Sequence, residues 1–302
     1  MQVQAGAIGI ACQKVSVAEV FAKDPFDDIM LCYNLLSTDK IVRARTLAER
    51  GHMRVVADNS DMVAALSVGM AGAAAPLNVL VECDTGMGRC GVQSPVAALD
   101  LARAIAASRG LRFAGLTTYP KPDDERRVEA FLATARDLCL PNVGPCTVIS
   151  SGGTPTSGQA GLAPSITEYR AGTYIYNDRS LISRGACRVE DIARTVLSTV
   201  VSRPTADRAI LDAGSKTLSS DLFGLQGYGL LPSYPEASIT GLSEEHGHVD
   251  LMQSGRRPRI GERVQIIPNH ACPVSNLADR VVFHRVGQVI RIAEVAARGC
   301  VV

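Results

Sequence analysis

His270 and Cys272 stand two residues apart between Pro268 and Pro273. On an extended segment, residues two apart point to the same side. Imidazole and thiolate together suit zinc better than magnesium. Two ligands do not complete a site, so water, substrate or another residue would supply the rest. The same spacing also describes a buried cysteine beside a surface histidine. Upstream, Ser243–His248 puts Glu244 and Glu245 next to His246 and His248. This cluster suits acid–base work or ligand orientation, and equally a solvated acidic loop.

Two glycine-bearing loops follow apolar runs. Val81–Gly91 leads into Gly86, Gly88 and Gly91 around Arg89. Glycines let backbone approach a ligand, and an arginine at a strand's C-terminal end points into a barrel mouth. A tight turn with a surface arginine fits the same residues. Ser150–Thr156 carries Ser151, Gly152, Gly153 and Thr154. Small residues there expose N–H groups and hydroxyls, as a phosphate requires. A polar linker is the alternative, and no Walker lysine follows. In Glu168–Asp178, Tyr169, Tyr174 and Tyr176 mix with apolar residues, as in a core strand with tyrosines at its rim.

The elements that must position these groups alternate. Apolar runs lie at Gly6–Cys12, Asp28–Tyr33, Met53–Ala57, Asn78–Cys83, Leu111–Thr118, Thr147–Ser151 and Gly172–Tyr176. Amphipathic stretches separate most of them: Thr38–Arg50, Ser60–Gly69, Pro95–Ser108 and Asp124–Cys139. This order predicts βαβ units and a parallel sheet buried on both faces. Seven strands fall one short of a (β/α)8 barrel, and an open doubly wound sheet could also stop there. After about Ile192 the runs Thr195–Val201, Ala209–Asp212, Val264–Ile267, Arg280–Phe283 and Gln288–Ala293 predict a mainly antiparallel β domain.

Composition excludes other classes. With 302 residues, 46% hydrophobic and 20% charged, the chain can bury a large core. A net charge of +1 without a basic block argues against nucleic acid or an acidic membrane surface. The uncharged stretch Met62–Val81 contains Gly69, Gly72 and Pro76, so it reads as helix, turn and strand rather than a membrane span. Nine cysteines without a CxxC predict reduced thiols in a cytoplasmic protein.

Taken in order, Gly6–Lys14, Glu82–Gly91, Gly115–Pro120, Ser151–Thr154, Gly172–Asp178, Asp212–Asp221, Glu244–Gly247 and Pro268–Pro273 resemble one family nearly end to end. It is the D-threonine aldolase / D-serine dehydratase family of fold-type III pyridoxal-phosphate (PLP) enzymes. The resemblance implies an alanine racemase-type PLP barrel over residues 1–191, without its first strand, and a metal-binding β domain over residues 192–302. It implies a homodimer acting on small D-amino acids. Arg89 would contact the PLP ring region, with Tyr119 beside the ring nitrogen. Ser151, Gly152, Gly153 and Thr154 would hold the phosphate, with Tyr174 nearby. His270 and Cys272 would bind a divalent metal, zinc first, with manganese or magnesium as alternatives.

In the family the lysine that joins PLP lies on the first barrel strand, before the segment matching Gly6–Lys14. The five lysines here are Lys14, Lys23, Lys40, Lys121 and Lys216, and none matches that position. A barrel short of one strand has two bare edges, so the expectation is an N-terminal truncation. The resemblance implies a retro-aldol lyase releasing glycine and an aldehyde. Its alternatives are a zinc-dependent D-serine dehydratase, a truncated PLP-binding remnant without catalysis and, last, a racemase.

Overall fold

The computed structural model describes residues 1–24 and 26–302. The chain forms two compact units: residues 1–171 with 300–302, and residues 172–299.

In the first unit, strands and helices alternate: β1 (Ile10–Cys12), α1 (Val15–Phe21), β2 (Asp28–Leu31), α2 (Thr38–Ala48), β3 (His52–Ala57), α3 (Ser60–Gly69), β4 (Leu77–Cys83), α4 (Pro95–Ala107), β5 (Leu111–Thr118), α5 (Glu125–Val143), β6 (Val148–Ser151) and β7 (Glu168–Tyr169). The seven strands pair in parallel and in sequence order. Helix starts match their sequence signals. The Asn59 side chain accepts from the Met62 N–H, and Ser94 accepts from the Ala97 N–H ahead of Pro95.

Alternation along the strands sorts two layers. Ile29, Leu31, Val55, Ala57, Val79 and Val81 join the helices in the large core. Met30, Val56, Leu80 and Ala114, from the opposite parity of β2 to β5, form a small cluster on the other face. That inner face is also polar. Arg54 on β3 meets Asp28 on β2 at 2.7 Å and Glu168 on β7 at 2.5 Å. Four strand spacings would put β3 and β7 about 19 Å apart in a flat sheet, so the sheet is curled and its inner face is a barrel interior. Glu168 also accepts from the Ser150 hydroxyl at 2.6 Å, and Arg170 donates to Ser150, to Thr117 at 3.1 Å and to the Thr118 carbonyl at 2.7 Å.

The strand expected at Gly172–Tyr176 lies earlier, at Glu168–Tyr169, where Ser150 and Ser151 pair with it. Residues Thr173–Ile175 form a 3-10 turn. The side-chain bonds of Glu168 to Arg54 and Ser150 tie the upstream pair to the sheet. Met62–Val81 resolves into most of α3, a turn and the start of β4. Among the described residues no helix is long and apolar enough to cross a membrane.

The second unit contains α6 (Arg179–Ser183), β8 (Val196–Thr205), β9 (Arg208–Leu211), α7 (Ser215–Leu218), β10 (Ser238–Leu242), β11 (Gly247–Asp250), β12 (Arg263–Ile266), α8 (Ala271–Leu277), β13 (Arg280–Arg285) and β14 (Gln288–Glu294). Five strands form an antiparallel sheet in the order β10-β11-β9-β8-β12, and β13 and β14 form a separate hairpin. Val200, Leu211, Leu231, Ile239, Val249 and Ile266 are central to its core.

Candidate functional site

Each βα loop of the first unit starts where a strand ends, so the glycine loops share one rim of the curled sheet. After β4, Asp84 Oδ1 accepts from the N–H groups of Gly86 at 2.9 Å and Gly88 at 3.1 Å. Burial opposes the charge on Asp84, but these N–H donors outweigh it and hold the carboxyl below its usual range. The Gly91 N–H donates to Asp58 Oδ2 at 3.0 Å. At φ +120°, a Cβ on Gly91 would come within 2.4 Å of the Asp84 nitrogen, so only glycine closes this loop. Arg89 is thereby carried between two carboxylate-anchored turns. Its guanidinium lies 4.8 Å from the centre of the Tyr119 ring and 4.0 Å from Glu82. Burial pushes Glu82 up, partly offset by Arg89.

Tyr119 also reaches the second loop. A Cβ on Gly153, at φ +155°, would stand 3.3 Å from the Tyr119 hydroxyl. A Cβ on Gly152, at φ +135°, would meet the Arg170 backbone nitrogen at 2.5 Å. Tyr169 donates from its hydroxyl to the Gly153 carbonyl at 3.1 Å and lies 2.6 Å from Thr156 Oγ1. Ser151 and Thr154 are buried on either side. The result is a glycine cradle in front of a tyrosine hydroxyl, with a cation on that tyrosine's face. These residues fit a phosphate-bearing aromatic cofactor: the two glycines let the loop pack directly against Arg170 and Tyr119 with little but backbone at its surface, and Arg89 supplies positive charge.

Among the lysines, Lys14 is the residue before α1, two positions after β1 ends, and holds its ammonium 3.8 Å from the centre of the Tyr33 ring. Lys216 sits in the second unit, 2.8 Å from both Glu244 and Glu245. Those two carboxylates lie in the β10–β11 turn, and His248 pairs with Ser243 at 3.0 Å. The acidic cluster is therefore a surface hairpin bound to a lysine.

His270 and Cys272 sit on a turn into α8 rather than on an extended segment: His270 is the residue before the helix and Cys272 lies in its first turn. The thiol and imidazole influence each other's protonation. Their contact draws the Cys272 thiol below its usual range. Burial would lower His270, but the bonds to Cys272 and Asp221 outweigh it and carry the imidazole up to about 9. Thr173 Oγ1 lies 4.0 Å from the Cys272 sulfur. The fully buried Asp178 accepts from the Ala271 N–H at 2.9 Å and from the Leu181 N–H at 3.2 Å, fixing the turn. Tyr174 lies in the 3-10 turn, half-exposed. Among the described residues no three His, Cys, Asp or Glu side chains converge as a closed cation cage. The pair fits a zinc ion that keeps positions for water or substrate, because its donors are soft and a carboxylate backs the imidazole.

Two family models match successive parts of the chain. The model of the alanine racemase N-terminal domain matches residues 1–180, and that of a putative serine dehydratase domain matches residues 193–284. A D-threonine aldolase of Arthrobacter sp is 33% identical over 312 residues, covering 99% of this chain and 81% of that protein. The crystal structure of D-threonine aldolase from Filomicrobium marinum superposes with a TM-score of 0.85 at 30% identity, covering 100% of this chain and 85% of that one. D-threo-3-hydroxyaspartate dehydratase from Delftia sp. HT23 gives 0.86 at 26% identity, covering 97% and 85%. The chain belongs to the alanine racemase-like, fold-type III family of PLP enzymes, in which these lyases are its relatives.

Proposed function

We propose that the chain acts on β-hydroxy D-amino acids as a D-threonine aldolase-like lyase, cleaving Cα–Cβ to give glycine and an aldehyde. The observation that supports it is the convergence on Tyr119, with Arg89 over its face and Gly153 at its hydroxyl. In this reading residues 1–191 hold PLP and residues 192–302 hold a divalent metal. Ser151, Gly152, Gly153 and Thr154 bind the phosphate, with Tyr174 assisting, and Arg89 and Tyr119 orient the ring. His270 and Cys272 bind the metal, zinc first and manganese or magnesium next. When bound, PLP supplies an electron sink for charge at Cα and the metal a Lewis acid for the β-oxygen. The chain's own residues bind and orient. Asp58 and Asp84 accept from the N–H groups of Gly91 and Gly86 and so hold the loop that carries Arg89, with Glu82 4.0 Å from its guanidinium. We further assign the protein to a reducing, cytoplasmic setting, in keeping with its nine free cysteines, and, on the family resemblance alone, to a homodimer.

Cys272 favours a second reading. A thiolate donor selects zinc, the pattern the sequence resemblance associates with D-serine dehydratase, whose products are a keto acid and ammonia.

The test is the absorbance spectrum of the purified chain with PLP, before and after borohydride, with peptide mapping. It is joined by metal-dependent assays on D-threonine, D-serine and 3-hydroxy-D-aspartate. Glycine plus aldehyde supports the aldolase, and ammonia plus keto acid supports the dehydratase. PLP binding without a trapped lysine or turnover replaces both with a non-catalytic PLP-binding module. Failure to bind PLP sinks all three.

A further inference from the structure

A loop outside the glycine cradle converges on His270. Asp221 Oδ2 lies 2.9 Å from His270 Nδ1. The Phe223 ring stacks on the imidazole, with centroids 4.2 Å apart and planes 21° from parallel. The loop that carries both is bent in a costly way. Ser219 and Phe223 have φ of 66° and 50°, the left-handed region that non-glycine residues rarely enter. Its own bonds hold that shape: the Asp221 N–H donates to Ser219 Oγ at 3.1 Å, and the Phe223 N–H donates to Asp221 Oδ1 at 2.9 Å. Asn269, buried beside the histidine, clasps the loop by donating to the Leu222 carbonyl at 3.3 Å and the Gly227 carbonyl at 2.8 Å. Strain of this kind persists only where the surroundings over-determine it, and here they serve one imidazole.

We propose that Asp221 and Phe223 are positioning residues for His270: Asp221 occupies Nδ1 and the Phe223 ring sets the imidazole plane, so that Nε2 is the nitrogen presented with the Cys272 sulfur to a divalent cation. The inference rests on the metal reading above. It adds which nitrogen binds and what enforces the choice. A histidine ligand's second nitrogen ordinarily bonds a carboxylate or carbonyl, which fixes tautomer and ring orientation. Asp178 and Asp221 also place negative charge beside the pair, which suits a cation and repels an anion.

The experiment is a titration of the full chain with Co²⁺, followed through the thiolate-to-cobalt absorption band, with Cys272→Ala as the control that loses the band. Zinc competition gives the affinity. A long-range ¹H–¹⁵N spectrum of the zinc-loaded chain reports which His270 nitrogen carries the proton. Asp221→Ala is expected to weaken binding by roughly 10- to 100-fold and to let either ring nitrogen meet the metal, so that the proton is no longer confined to Nδ1. Asp221→Asn, whose carbonyl oxygen still accepts from Nδ1, keeps the tautomer and loses less. Phe223→Leu weakens binding by a smaller factor with the tautomer unchanged. Circular dichroism checks folding, and the Asn and Leu variants carry the test if the alanine variant unfolds. Folded variants that match wild-type affinity and protonation overturn the positioning roles and leave the metal reading standing. A wild-type chain that binds neither Co²⁺ nor Zn²⁺ overturns both.

Discussion

The turn at Gly152–Gly153 and the turn at His270–Cys272 solve opposite problems. In the first, the shape depends on atoms that are missing: a Cβ on either glycine would meet Arg170 backbone or crowd the Tyr119 hydroxyl. In the second, the shape depends on atoms that are present and held: the carboxylates of Asp178 and Asp221 fix the turn and the imidazole beside the Cys272 thiol. A cradle of backbone tolerates almost no added side chain. A donor pair tolerates shape changes but not the loss of a neighbour that orients it.

That contrast can be broken by substitution. The largest effect is expected for His270→Ala or Cys272→Ala, which should remove cation binding by about 100-fold or more while leaving PLP binding intact, read by parallel cobalt and PLP titrations. Gly152→Ala should do the reverse. Its Cβ clash at 2.5 Å with the Arg170 nitrogen should cost about 2–4 kcal/mol in urea unfolding and abolish PLP binding without touching cobalt affinity. If both substitutions impair both ligands equally, the two turns are not independent devices. Glu168→Gln leaves Arg54 less compensated inside the sheet, and should cost roughly 2–3 kcal/mol, with Asp28 retaining part of the pairing.

The smallest effect concerns Asp84. Its folded carboxyl sits below the usual range, so its contribution to stability is present above the unfolded value of about 4 and is lost as pH falls through the lower, folded value. The group is near the surface, so Asp84→Asn should cost under about 1 kcal/mol at neutral pH. It should also flatten the acid limb of a stability-against-pH curve. A curve unchanged by the substitution would remove Asp84 from the account of how Arg89 is held.

Much of this was legible in the sequence. The alternating runs gave six of the seven parallel strands close to their places, since a period of two within apolar stretches needs no tertiary information. The last was misplaced. Glu168 and Tyr169 are too short a run to read as a strand, and Glu168 is tied to the sheet through Arg54, far away in sequence. The pair β10 and β11 was hidden by Glu244 and Glu245, which look like loop and are instead a turn paired to Lys216. The ligand-backing carboxylate was sought in that cluster, whereas Asp221 sits in a segment singled out only for its resemblance. Its role shows only once a left-handed Phe223 folds the loop over His270.

The Arg54–Glu168 contact also constrains the order in which the chain can mature. The partners are 114 residues apart. A ribosome that has released only β1 to β6 has made a sheet whose interior arginine holds one acid, Asp28, and lacks the other. Closing so long a loop is slow relative to local helix and hairpin formation. The Arg54–Glu168 contact across the inner face is therefore expected to form late, once β7 has arrived. The Gly152–Gly153 turn lies between β6 and β7, so it should gain its final shape in that same step.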